Sequence, residues 1–186
     1  MRGISSSSSI IALCLLMAAS VWAQSASANQ SSAGNQRMQE RITQDVYHKL
    51  AMLPQLSIFD NLSYKVNGST VTRLGQVRNA VLKSEAEDAV KHIEGVETVD
   101  NQIQILPPST NDDLIRRQVA RAIFNDNRLF PYSVEAVPPI HIIVNGGHVT
   151  LDGVVNSQGD KNEAGLRANS VPGVFSVQNN LKVGTK

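Results

Sequence analysis

Four histidines, His48, His92, His141 and His148, are the side chains of this sequence suited to metal ligation or proton transfer. His148 follows a hairpin turn and His141 opens the strand before it, so facing strands bring a metal site into consideration. No acidic or thiol partner stands at ligand spacing, and the pair reads as two solvent-facing strand residues. Glu85, Glu87 and Asp88 are close enough in sequence to suggest an acid pair. Their spacing fits an exposed helix face near its start, where negative charge suits the helix dipole. Serines are abundant, but none lies in a nucleophile-elbow pattern. Val66-Asn67-Gly68 and Gly146-Gly147 carry the glycines of a phosphate loop, yet they join strand to strand, so their amides are not aimed as that chemistry requires. No catalytic residue, metal site or cofactor is therefore expected.

The remaining candidate is a surface. Arg117, Arg121 and Arg128 recur at helical spacing with Arg116 beside them, and Phe124, Leu129, Phe130 and Tyr132 follow at the same end. A basic stripe beside exposed aromatics is how a folded domain touches an anionic lipid surface. A solvated helix face next to ordinary core aromatics is the competing reading. On the lipid reading the contact residues are Arg117, Arg121, Phe124, Arg128, Phe130 and Tyr132.

The elements that position these residues come as a repeat. Val144-Asn145-Gly146-Gly147-His148-Val149-Thr150-Leu151-Asp152-Gly153-Val154-Val155 alternates apolar positions around an Asn-Gly reversal, as a strand, tight turn and strand would. Val66-Asn67-Gly68-Ser69-Thr70-Val71-Thr72-Arg73-Leu74-Gly75-Gln76-Val77 is the same pattern 78 residues earlier. Each copy spans about 70 residues, near the lower limit for a self-sufficient core. Aromatics make up only 4% of the chain, so the cores must rest on Val, Ile, Leu and Ala.

In the first copy, Met38, Ile42, Val46 and Leu50 form one helical stripe that Pro54 ends. Leu56, Ile58 and Phe59 are expected to cover one edge of that core. Strands follow from Leu62 to Val66 and Thr70 to Val77, with Gly75 marking a bulge or a close backbone approach. Leu82, Ala86, Ala89, Val90 and Ile93 share a face of a second helix, for which Ser84 and Glu87 offer a late capping box. Gly95 then supplies a left-handed stop. Val96, Val99, Ile103 and Ile105 make a third strand, and Pro107-Pro108 closes the copy. The second copy repeats the order. Ile115, Val119 and Ile123 form its stripe, Asn125 to Pro139 its connection, and Ser157 and Asp160 its second helix start. Gly159 and Gly165 weaken that helix. The predicted class is α+β: two repeats of αββαβ, each a three-stranded mixed sheet with two helices on one face.

Residues 1–23 read as a secretory signal peptide: Arg2 is positive, Ile10 to Ala19 is apolar, and Val21-Trp22-Ala23 offers a cleavage site, with Ala26-Ser27-Ala28 a later one. The only cysteine, Cys14, lies in the apolar run behind the bulky Leu13, so no lipid anchor is expected and the mature chain has no thiol. Removing Arg2 leaves 16 Lys and Arg against 16 Asp and Glu, a balance that gives no footprint for nucleic acid. Residues 24–36 are Ser, Ala, Asn, Gln and Gly, expected as a flexible leader. The copies then occupy 37–106 and 111–184, joined by 107–110, with no transmembrane span in the mature chain.

The pattern V-x-V-x-x-G-x-V-x-L-x-G-x-V, a helix with small residues, then G-V-x-x-V-x-N-x-L-x-V, resembles the BON domain (bacterial OsmY and nodulation). Val149, Leu151, Gly153, Val155, Gly173, Val174, Val177, Asn179, Leu181 and Val183 carry it in the second copy. Val71, Gly75, Val77, Gly95, Val96, Val99, Asn101 and Ile103 carry it in the first. Gly75, Gly95, Gly153 and Gly173 are its structural glycines. The first copy departs at Arg73, where the second has Leu151, and a shift or bulge is expected there. The resemblance implies an OsmY-like periplasmic envelope protein of the twin-BON kind, associated with phospholipid contact, envelope integrity and osmotic or other stress, and not with catalysis. Three readings stand: a module binding an anionic phospholipid surface or envelope proteins, a periplasmic chaperone-like stress protein holding unfolded clients, and an enzyme with a convergent polar site that the sequence does not display.

Overall fold

The computed structural model describes residues 19–135 and 138–184, with side chains from Gly34 onward. The first copy runs α1 (Ala19–Ala51), β1 (Asn61–Asn67), β2 (Thr70–Val77), α2 (Ala80–Lys91), β3 (Thr98–Asn101) and β4 (Gln104–Ile105). The second runs α3 (Thr110–Phe124), a 3-10 turn at Phe130–Ser133, β5 (Ile140–Asn145), β6 (His148–Val155), α4 (Gln158–Asn169), β7 (Ser176–Asn179) and β8 (Lys182–Val183). The apolar run and Cys14 of the expected signal peptide lie outside the described residues. The segment 24–36 is not a loose leader but part of α1, which reaches back to Ala19. Its residues are Ala, Gln, Ser and Asn with no proline and only Gly34, so nothing in it stops a helix already nucleated downstream. Met1–Arg41 and Ile42–Lys186 are separate units.

Both sheets have the expected mixed topology. β1 pairs antiparallel with β2 from Asn61↔Gln76 to Asn67↔Thr70, and β3 and β4 pair parallel along the other side of β2. Thr70↔Thr98 and Gln76↔Gln104 keep one register, so β3 and β4 are a single strand interrupted at Gln102-Ile103. The interruption has a local cause. The Asn101 side chain accepts from the amide of Ile103, an Asx-type bend that turns Ile103 into the core, where it is 2% exposed. Asn179 and Leu181 repeat this in the second copy. Gly75 and Gly153, at φ +126° and +125°, mark the close approach expected: a Cβ would lie 2.0 Å from the Asn61 carbonyl oxygen and 1.8 Å from that of Pro139.

One core packs α1 and α2 on the first sheet through Ile42, Val46, Leu50, Val71, Val77, Leu82, Ala86 and Val90. The other packs α3 and α4 on the second through Ile115, Val119, Ile123, Ile142, Val149, Leu151, Ala164 and Ala168. Three local expectations change. α2 starts earlier than the Ser84 box implied, because Asn79 caps it by accepting from the Val81 amide. Arg73 is neither shifted nor bulged: it faces Tyr64 in register with its side chain buried at 0% exposure. Leu56 covers the first core as expected, but Ile58 and Phe59 pack against the second.

That last difference joins the copies. The Ile142 amide on edge strand β5 donates to the Ile58 carbonyl at 2.7 Å, and Asn61 Nδ2 donates to Asp152 Oδ2 at 2.9 Å. A segment of the first copy thereby occupies hydrogen-bonding positions that β5 would otherwise leave open. Asp60, 2% exposed, holds the segment in shape by accepting from Ser57 and from the Arg78 amide.

Candidate functional site

α3 presents its crest to solvent because Ile115, Val119 and Ile123 anchor the opposite face. Leu114 is 47% exposed, and Arg117 and Arg121 are exposed above it, without a hydrogen bond or ion pair among the described residues. The N-terminal end of α3 is fixed by a contact the sequence reading missed. Asp112 is buried, and its two carboxylate oxygens accept from the amides of Gly146 and Gly147 at 2.9 Å each. An acidic residue in the first helical turn and a Gly-Gly reversal were the available signals. Beyond the C-terminal end of α3, Phe130 stands 56% exposed. A polar recess of about 470 Å³ between α3 and α4 includes Arg121 and Arg167, the latter held by Asp126 and Glu163 at 2.7 Å each.

The six residues expected to touch lipid therefore separate. Arg117, Arg121 and Phe130 are exposed. Phe124 is half-buried against the second core. Tyr132 is 3% exposed and cannot meet a surface. Its hydroxyl donates to Asp160 Oδ2 and accepts from the Asn156 amide, both at 2.8 Å. Arg128 is exposed, but its Nε is committed to Asp160 Oδ1 at 2.8 Å. Burial raises the Asp160 carboxyl, and the hydrogen bonds from Ser157, Tyr132 and Arg128 outweigh that and leave it below the ordinary carboxylate range. These groups lock the long connection onto the start of α4. Arg116, read as a neighbour in the basic stripe, is buried and bonded to Asp113 and the Val144 carbonyl.

His141 and His148 are not brought together. His141 faces Asp152 across the hairpin, and His148 faces Asn145 at its turn. Nδ1 of His141 donates to the Asp60 carbonyl at 2.7 Å, and burial lowers its pKa, favouring the neutral ring. Among the described residues no cluster of three His, Cys, Asp or Glu is arranged to hold a metal. Glu87, read as an ordinary exposed acid, is drawn down to about 2 by the Lys91 hydrogen bond and then by Asn101. It lies 3.7 Å from the buried Arg73, none of whose guanidinium nitrogens has a hydrogen-bond partner among the described residues. No described helix is long and apolar enough to cross a membrane.

The family model of the BON domain matches the chain twice, at residues 39–107 and 111–185. A comparison with curated proteins finds no match. Among solved structures, the C-terminal domain of CdsD, a structural protein of the type III secretion system of Chlamydia trachomatis, is similar at 13% identity and a TM-score of 0.27, covering 76% of this chain and 96% of that one. A second CdsD structure is similar with the same TM-score and identity, covering 92% of its own length.

Proposed function

Because the chain belongs to the BON family, with one BON domain in each half, we propose that it is a non-enzymatic periplasmic protein, exported by residues 1–23 or 1–28, that contacts anionic phospholipid and supports the envelope under osmotic or other stress. The observation that carries this reading is the crest of α3. Two exposed arginines, neither in a hydrogen bond or close ion pair among the described residues, share it with Leu114, and Phe130 lies past its end. Cationic groups beside exposed apolar side chains suit a headgroup–acyl boundary, with each arginine near an anionic surface contributing about 1 kcal/mol. The second domain makes the contact and the first orients it. Co-sedimentation with vesicles containing phosphatidylglycerol tests this: Arg117→Glu with Arg121→Glu should reduce binding by more than about tenfold. Unchanged binding by that double variant overturns it.

A second reading, a chaperone-like protein holding unfolded clients, draws support from a different observation. A groove of about 730 Å³ lies between the two domains, with Tyr47, Leu50, Leu56, Leu62, Tyr64 and Val154 along it. Suppression of the aggregation of an unfolded outer-membrane protein, retained in the arginine double variant, separates this reading from the first.

A further inference from the structure

The junction of the two domains holds a second cationic recess, away from the crest of α3. It has a volume of about 290 Å³, and Arg78, Asn79, Ser109, Asp113 and Arg116 line it beside Pro107-Pro108. Asn79 and Ser109 are the N-caps of α2 and α3, so two helices of 12 and 15 residues direct their positive ends to one place. Arg116 is 3% exposed and lines the recess. Two of its nitrogens are spent on Asp113 and the Val144 carbonyl, and its buried Nε has no hydrogen-bond partner among the described residues.

The donors outnumber the acceptors. Ser109 Oγ accepts from the Asp112 amide, which leaves its hydroxyl proton to give. Arg78, stacked 5.3 Å over the Phe59 ring, reaches Asp113 through one nitrogen at 3.6 Å and keeps its other donors. Among the described residues that line the recess Asp113 is the one acidic side chain, and its single charge is shared by Arg78, Arg116 and Arg117 and by two helix ends. Asp112, next in the chain, spends both oxygens on the hairpin amides.

We propose that this recess is a binding site for a phosphate-type oxyanion, held between Arg78 of the first domain and Arg116 and Ser109 of the second. A bound anion would tie the domains together, because its two cationic contacts come from opposite sides of the Pro107-Pro108 link. The phosphate of a lipid headgroup and free inorganic phosphate share this chemistry, and the experiment distinguishes them.

Inorganic phosphate is titrated into the mature chain against chloride at matched ionic strength, with backbone amide NMR and thermal unfolding as readouts. Saturable shifts are expected at Asn79, Ala80, Ser109 and Thr110, with a rise in melting temperature by mass action. Arg78→Gln should weaken the response roughly tenfold. Asp113→Asn, which keeps an acceptor for Arg116 but removes the competing charge, should strengthen it. The Arg121→Glu variant, which weakens the α3 crest without touching Asp113, should respond as the parent does, so failure here and failure of the α3 contact are separable. The same titration with phosphatidylglycerol vesicles identifies the source: a response to the vesicles but not to inorganic phosphate assigns the recess to a lipid headgroup, whereas no saturable shift with either, or a shift indifferent to Arg78→Gln, overturns the proposal.

Discussion

Tyr132 and Arg128 are aromatic and basic, yet both serve the fold. The connection of the second domain carries a buried hydroxyl that accepts from the Asn156 amide. The corresponding amide of the first domain, at Arg78, is met instead by the Asp60 carboxylate. Each copy needs an acceptor where the second strand hands over to the following helix, and each found a different one. Tyr132→Phe removes the hydrogen bonds to Asp160 and Asn156 while keeping the ring packed. It should lower stability by about 1–2 kcal/mol in denaturant unfolding and leave vesicle binding as it was. A loss of vesicle binding without a loss of stability would return Tyr132 to the lipid surface. Residue type and spacing revealed a basic aromatic cluster, but not that Asp160, 28 residues or more further on, claims two of its members.

At the scale of elements, the two copies differ as matched pairs. Arg73 and Glu87 of the first domain stand where the second has Leu151 and Gly165, at the shared offset of 78. Gly165 leaves room for the Asn179 side chain, to which a Cβ there would come within 2.8 Å. That is why a glycine sits inside α4 despite its cost to the helix. In the first domain Asn101 instead donates to Glu87 at 2.9 Å, and Arg73 lies beneath, its charge opposed by Glu87 at 3.7 Å and by Asp88. A buried guanidinium lacking hydrogen bonds is a weak way to hold α2 on its sheet. Arg73→Met should therefore stabilise the first domain by about 1–4 kcal/mol, whereas Glu87→Gln, which withdraws the nearest counter-charge from the buried cation, should destabilise it. Amide exchange across α2 measures both. A destabilised Arg73→Met protein would mean that the cation contributes more than burial takes away.

For the molecule as a whole, the domains are docked within Ile42–Lys186, and His141 lies at the seam. Burial lowers its pKa and outweighs the opposing pull of the Asp60 carbonyl and the Asp152 and Asp60 carboxylates. The docked state thus favours the neutral ring. That stabilisation is complete above the ordinary histidine value of about 6.5 and is lost as pH falls below it toward the lowered native value. Melting temperature should fall more between pH 7 and 5 for the parent than for His141→Gln, which keeps a donor for the Asp60 carbonyl and cannot charge. Equal slopes would remove His141 from the acid response.

The sequence by itself determined the duplication, the αββαβ order, the two hairpins, the glycine approaches and the apolar stripes, but not the strand order of the sheets. All follow from local periodicity and turn chemistry, which act within a few residues and appear twice. Tertiary structure alone decided that Ile58 and Phe59 serve the neighbouring domain, that Asp112 caps a hairpin, that Tyr132 is buried, and that Arg78 and Arg116 converge on Asp113. Each of these depends on which surfaces come together after the elements form, and side-chain type and sequence spacing carry no measure of that distance.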